Sequence, residues 1–293
     1  MIKVIELPID KDMGGLTSYV LQLYRMIDKK EFELTLLSYD DPQNFDVNYK
    51  VETVSRPYHI IQFYKKMKCL LSEGKDIIHF HQSYVNIIPI LIAKLAGFKT
   101  IILHAHSSSI DDNRRIVRFL KTGLHKVGRF LLPYLVDIYI GCSTKASEWM
   151  FPRKCIDSDS YYLLHNAIDL DLYDRNINLG LEIRQKFNIP KDALVVGHIG
   201  RFTPVKNHPF IIDIFKEVLK QNPNSYLFLL VDGVERHKVE SLVKLAAISD
   251  KVIFMGYVNN TVEVMQAIDI MILPSRCQMK RSKSSNIVSK HCA

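Results

Sequence analysis

Apolar and polar residues alternate from Ile2 to Leu7, a period of two that predicts a strand. From Leu16 the apolar positions recur at Val20, Leu23, Tyr24 and Ile27, the spacing of one helix face. The same reading predicts strands over Phe32 to Leu37, Asp76 to His81, Thr100 to Leu103, Asp137 to Cys142 and Tyr161 to Leu164. Between them it predicts helices over Tyr64 to Leu71, Asn86 to Leu95, Arg114 to Leu132 and Lys145 to Met150. Gly97 ends the second of these, Pro133 stops the third and Ser143 caps the fourth. Strands alternating with helices argue an α/β fold with a parallel sheet covered on both faces, in which ligands sit at the carboxyl ends of the strands.

The pattern restarts after a polar stretch from Asp169 to Asp192 that holds one short helix around Leu181 to Phe187. Strands follow at Leu194 to Ile199, Tyr226 to Val231, Val252 to Met255 and Ile270 to Leu273, separated by helices at Phe210 to Leu219, Val239 to Ala247 and Val262 to Ile268. The expected division is a domain over 1–170, a second over 171–276, and a polar basic tail over 277–293 with no strand or helix period. A strand at Ile270 to Leu273 with no helix after it leaves apolar surface facing water, so the second domain is expected to be incomplete.

Composition agrees with two globular domains: 293 residues, 47% of them hydrophobic, suffice for two cores. No apolar run reaches bilayer-spanning length and no signal-peptide layout opens the chain, so the expected location is the cytosol. The five cysteines form no C-x-x-C pair and read as free thiols. A net charge of +8 raises nucleic acid, anionic membrane and phosphorylated substrates as partners. Nucleic acid is disfavoured, because the basic tail lacks interleaved aromatic residues. Arg114, Arg115, Arg118 and Lys121 share a helical pattern with Ile116, Phe119, Leu120 and Leu124, the layout of a helix on an anionic membrane surface or of an ordinary solvated face.

Candidate chemistry gathers at the strand ends. Val195 to Ile199 runs into Gly200 and Arg201, with Lys206 and Asn207 before the next helix. A glycine without a side chain, two cations and the free N–H groups of a helix start form an anion cradle. His79 with His81, and His104 with His106, make two His-x-His pairs, read as a polar substrate contact by His106 or His104, as packing, or as a metal site that lacks an acidic or thiol partner. Asp169 and Asp171 have a spacing that can hold a cation but equally suit a turn. No G-x-G-x-x-G follows a strand, and neither G-x-x-x-x-G-K-[ST] nor G-x-S-x-G occurs. These absences argue against nicotinamide dehydrogenases, P-loop kinases and serine hydrolases.

Taken in order, Gly14-Gly15, His104-Ala105-His106-Ser107, Cys142-Ser143, His165-Asn166-Ala167-Ile168-Asp169, Gly200-Arg201 with Lys206-Asn207, Val252 to Gly256 and Asp269 to Ser275 resemble glycosyltransferase family 4. The resemblance covers residues 1 to about 276. It implies a GT-B fold of two Rossmann-like domains and retaining transfer from a nucleotide sugar, a UDP-sugar, to a glycan or lipid-linked acceptor. It also implies that Arg201 and Lys206 grip the diphosphate, that the Gly14-Gly15 loop approaches it, and that His106 lies near the transferred sugar. No metal or other cofactor is then expected.

The sequence departs from the family in three places. Leu230-Val231-Asp232-Gly233 is one glycine short of the family's turn, and Asn166-Ala167-Ile168-Asp169 has Ala for Gly. After Pro274-Ser275, Cys277-Gln278-Met279-Lys280 stands where the family carries Glu-Gly and then a second Glu, as in a prematurely ended or frame-shifted sequence. The expectation is a hexosyltransferase peripheral to the inner membrane face, impaired or inactive in this form. The alternative is a non-catalytic remnant that binds acceptor or membrane.

Overall fold

In a computed structural model of the chain the alternating pattern resolves into two parallel sheets, one in each of two units, Met1–Asp169 and Leu170–Ala293. The structure describes residues 1–10, 15–41, 49–110, 112, 114–167, 169–258 and 260–276. The basic tail after Arg276 lies outside the described residues.

The first sheet has strands β1 (Ile2–Ile9), β2 (Phe32–Ser38), β3 (Val51–Thr53), β4 (Ile77–Gln82), β5 (Thr100–Ala105), β6 (Ile138–Gly141) and β7 (Tyr161–Leu163), in the order β3-β2-β1-β4-β5-β6-β7. The order reverses between β1 and β4, which are direct neighbours. Such a reversal opens a crevice at the carboxyl ends of the two strands. Helices α1 (Gly15–Met26), α2 (Ile60–Ser72), α3 (Ile87–Ala96), α4 (Arg115–Leu135), α5 (Thr144–Met150) and α6 (Arg153–Ile156) complete the unit.

Period two sorts the central strands into a dry face and a polar one. Ile5, Leu7, Ile78, Phe80, Ile101 and Leu103 are buried in one cluster with Phe63, Met67 and Leu70 of α2. Glu6, His79, His81 and His104 alternate with them and are also buried, between 0% and 6% exposed. Four such residues inside a sheet require polar partners.

Helix ends follow the capping residues. Asn86 accepts from the Ile88 N–H, Gly97 takes the left-handed conformation at φ 105°, and Ser143 accepts from the Ala146 N–H. Helix α4 ends at Leu135, close to Pro133: a proline near a helix end removes only one hydrogen bond, and the Tyr139 hydroxyl donates to the Leu132 and Val136 carbonyls at that end. One expectation is corrected. Strand β5 does not end at Leu103, because His104 continues the ladder opposite His81.

The second sheet has β8 (Leu194–Ile199), β9 (Ser225–Leu230), β10 (Val252–Gly256) and β11 (Ile270–Met271), in the order β10-β9-β8-β11. Its helices are α7 (Ile177–Lys186), α8 (His208–Gln221), α9 (Arg236–Leu245) and α10 (Thr261–Met265). Val196, Leu227 and Leu229 pack with Ile211, Phe215, Val239 and Val243 on one face, while Val195, Phe228 and Leu230 pack with Val264 and Ala267 on the other. Buried Arg184 ties α7 to the sheet by donating to the Ala267, Lys191 and Ala193 carbonyls and to Asp269, which in turn accepts from the Val195 N–H. The last strand is only two residues long, and Ile270 and Leu273 are 49% and 66% exposed.

Candidate functional site

Two groups of polar residues sit at strand ends, one in each unit. In the first, pairing sets Glu6 of β1 beside His79 of β4, and His81 beside His104 of β5. The Glu6 carboxylate can only accept, and its Oε2 lies 2.6 Å from His81 Nε2 and 3.0 Å from His79 Nδ1. His81 Nδ1 in turn meets His106 Nε2 at 2.8 Å. Helix α1 closes this group from above. Its Thr17 hydroxyl both accepts from the Asp10 N–H and donates to the Asp10 carbonyl, fixing the helix start to the end of β1. Two residues on, the Tyr19 ring lies 5.2 Å from both His104 and His106.

Burial keeps the imidazoles of His81, His104 and His106 neutral. It pushes His81 and His104 well below the ordinary histidine range and takes His106 down to about 4, with neighbouring histidines adding to each shift. Burial, then the Glu6 charge, pushes the Tyr19 hydroxyl up to about 12. Among the described residues neither ring nitrogen of His104 has a hydrogen-bond partner, nor does His79 Nε2. His79, His81 and His104 bring ring nitrogens within 4.8 Å of one another, a candidate metal group. However, both nitrogens of His81 are already engaged, so a metal ion would have to displace Glu6 or His106.

Of the residues expected here, His106 is partly exposed and joined to the buried group. Gly15 begins α1, and nothing lies within 4 Å of where its Cβ would be, while Gly14 lies outside the described residues. Sequence reasoning missed Glu6, since one acidic residue in a strand gives no local sign that its partners lie some seventy positions away.

In the second unit β8 ends at Ile199 and the chain turns through Gly200 to α8. Gly200 also serves the packing of its own unit. A Cβ there would stand 2.8 Å from His198 Nε2 and 3.2 Å from Lys206 Cδ, so the missing side chain makes room for the protein's own imidazole and lysine stem. The helix start also offers fewer donors than expected. Pro209 has no N–H, and the N–H groups of Phe210 and Ile211 both donate to the Asn207 carbonyl.

The cations remain available. Arg201 is exposed, Lys206 is partly exposed, and among the described residues neither side chain makes a hydrogen bond or ion pair. Beneath them, buried His208 stacks on Phe202 at 4.0 Å and is pushed down to about 4 by burial, then by His198 and Lys206. His198 donates from Nδ1 to the Ile272 carbonyl at 2.8 Å. Neither histidine was singled out from the sequence. The short glycine turn shows its effect at Val231, a β-branched residue held at φ 76° where its N–H donates to the Gly256 carbonyl.

Fold and site together define the class: an α/β protein of the GT-B type. Its fold matches the crystal structure of Anabaena Alr3699/HepE in complex with UDP and glucose with a TM-score of 0.74 at 15% identity, covering 94% of this chain and 74% of that one. WaaG, a glycosyltransferase involved in lipopolysaccharide biosynthesis, matches with a TM-score of 0.66 at 14% identity, covering 94% and 75%.

The chain belongs to glycosyltransferase family 4, whose sequence model matches residues 13–172, and the model for glycosyl transferases group 1 matches residues 181–278. It is 24% identical to the putative glycosyltransferase EpsF of Bacillus subtilis (strain 168) over 280 residues, 89% of this chain and 70% of that protein. It is 20% identical over 295 residues to the Escherichia coli UDP-Gal:alpha-D-GlcNAc-diphosphoundecaprenol alpha-1,3-galactosyltransferase, covering 94% and 73%. Among the described residues no helix is long and apolar enough to cross a membrane.

Proposed function

We propose that this glycosyltransferase moves a hexose from a UDP-sugar to a glycan or lipid-linked acceptor with retention of configuration. In this reading Arg201 and Lys206 hold the diphosphate, the Gly14-Gly15 loop approaches it, and His106 contacts the transferred sugar. The observation that carries it is the pair of cations beside Gly200 that no carboxylate neutralises among the described residues. As the sugar's anomeric carbon becomes cationic, the departing diphosphate gains negative charge, so fixed cations favour the transition state over the ground state. Support for UDP comes from the HepE likeness, since that structure contains UDP and glucose. Calorimetric titration with UDP, comparing the parent chain with the Arg201→Ala and Lys206→Ala variants, tests the assignment. Unchanged affinity in both variants would overturn it.

The acceptor is proposed to be presented at an anionic membrane face, with the protein peripheral on the cytoplasmic side. Along α4, Ile116, Phe119, Leu120, Val127, Phe130 and Tyr134 recur at helical spacing and are 58% to 78% exposed. Arg115 and Arg118 flank this stripe, whereas Arg114 and Lys121 are held by Asp112. A stripe of this kind beside cations lies in the plane of a bilayer surface.

A second reading is a binding protein with little turnover. It is favoured by Cys277-Gln278-Met279-Lys280, which stands where the family has a donor-contacting glutamate. Vesicle binding without hydrolysis of UDP-glucose would support it, and steady hydrolysis would refute it.

A further inference from the structure

The contact between His81 and His106 has a direction that Glu6 decides. A carboxylate offers lone pairs only, so the ring nitrogen 2.6 Å from its Oε2, His81 Nε2, carries the hydrogen. A neutral imidazole has a single N–H, so His81 Nδ1 is then a lone pair. The nitrogen 2.8 Å from it, His106 Nε2, must therefore be the donor. His106 has then used its one hydrogen inward, which leaves its Nδ1 as an acceptor. The reverse order would set a bare nitrogen against the carboxylate. The other escape, a charged His81, is opposed by its complete burial. Tyr19 packs against the His106 ring at 5.2 Å and limits its rotation.

We infer that Glu6 and His81 are positioning residues that hold His106 in its Nε2–H form, so that its Nδ1 accepts a hydrogen bond from a hydroxyl of the transferred sugar. The substrate half of this inference rests on the proposed place of His106 beside that sugar. The chemistry also excludes a phosphate as the group His106 meets, since an acceptor nitrogen and a phosphate oxygen repel. His106 thus selects for the sugar, while Arg201 and Lys206 select for the diphosphate.

The test reads the hydrogen directly. Long-range proton–nitrogen correlation spectra of the histidine-labelled full chain at neutral pH distinguish the two ring forms, and loss of one set of signals in His106→Asn assigns that ring. The expected result is Nε2–H for both His81 and His106, and a hydrogen on His106 Nδ1 overturns the arrangement. In Glu6→Gln the amide can either donate to or accept from His81 Nε2, so the single order is expected to be lost and both ring forms of His106 to appear.

Unchanged ring forms in Glu6→Gln would show that Glu6 does not set the order. Should Glu6→Gln fail to fold, His106→Asn keeps an acceptor oxygen near the Nδ1 position and His106→Ala does not. The first is expected to retain about tenfold more UDP-glucose affinity than the second. Equal losses, or a parent chain that binds UDP but gains nothing from the attached glucose, would overturn the substrate half.

Discussion

The imidazole of His125 lies flat against the indole of Trp149, with ring centroids 4.3 Å apart and planes 14° from parallel. The Val85 N–H donates to His125 Nδ1 at 3.0 Å, and the Trp149 Nε1–H donates to the Ser83 carbonyl. Helix α4, helix α5 and the end of β4 are thereby joined through one aromatic pair. Burial, then the nearby Arg129 charge, pushes the His125 imidazole down to about 4. The folded ring binds its proton less tightly than the unfolded chain, so its share of stability is fully present above about pH 6.5 and is lost as pH falls through the folded value. Trp149 is the sole tryptophan. Because an imidazolium quenches indole emission, fluorescence is expected to stay level near neutral pH and fall with a midpoint near 4. A midpoint at the ordinary histidine value would show a solvated ring.

Replacing Arg201 or Lys206 by alanine is expected to weaken UDP binding by about tenfold to a hundredfold each, the range for one charge-assisted hydrogen bond. The melting temperature should hardly change, because neither side chain bonds to another described residue. A large loss of stability in calorimetry would assign the two cations to the fold.

Val231 occupies a left-handed backbone conformation that a branched side chain resists. Val231→Gly is therefore expected to raise stability by about 1 kcal/mol in a urea titration, despite the greater freedom glycine has when unfolded. Gly256 sits at φ 66°, and Gly256→Ala should move stability the other way.

Arg184→Ala removes the donor set that joins α7 to β8 and to the turn before β11, and it leaves the Asp269 carboxylate without its cation. A loss of about 3 to 5 kcal/mol is expected on chemical unfolding. A near-neutral variant would show that the sheet alone holds α7.

On vesicles containing anionic lipid, Phe119→Ser and Phe130→Ser are expected to lower binding at any salt concentration. Arg115→Ala combined with Arg118→Ala should lower it at low salt only, since screening already removes that contribution at high salt. Cosedimentation measures both, and equal binding by all variants would refute the membrane reading.

Most of the fold was legible because parallel strands and their covering helices carry different periods. Elements of one turn or less were not: β3 with three residues and α6 with four are too short for any period to appear. The predicted strand ended at Leu103, one residue before His104. Its place in the ladder is set by pairing with His81, a tertiary effect. Likewise Gly200, Arg201 and Lys206 were legible as residue types, yet the packing of His198 and Lys206 around Gly200 was not. Glu6 was out of reach, since its meaning depends wholly on β4 being its neighbour.

The reversal of strand order between β1 and β4 carries a consequence for how such a transferase diversifies. The notch there is produced by the path of the chain, backed by Ile5, Leu7, Ile78 and Phe80, and not by the polar side chains that line it. Glu6 and His81 are buried there and hydrogen-bonded to each other, so they are expected to change only together, whereas the partly exposed His106 can change at less cost to the scaffold.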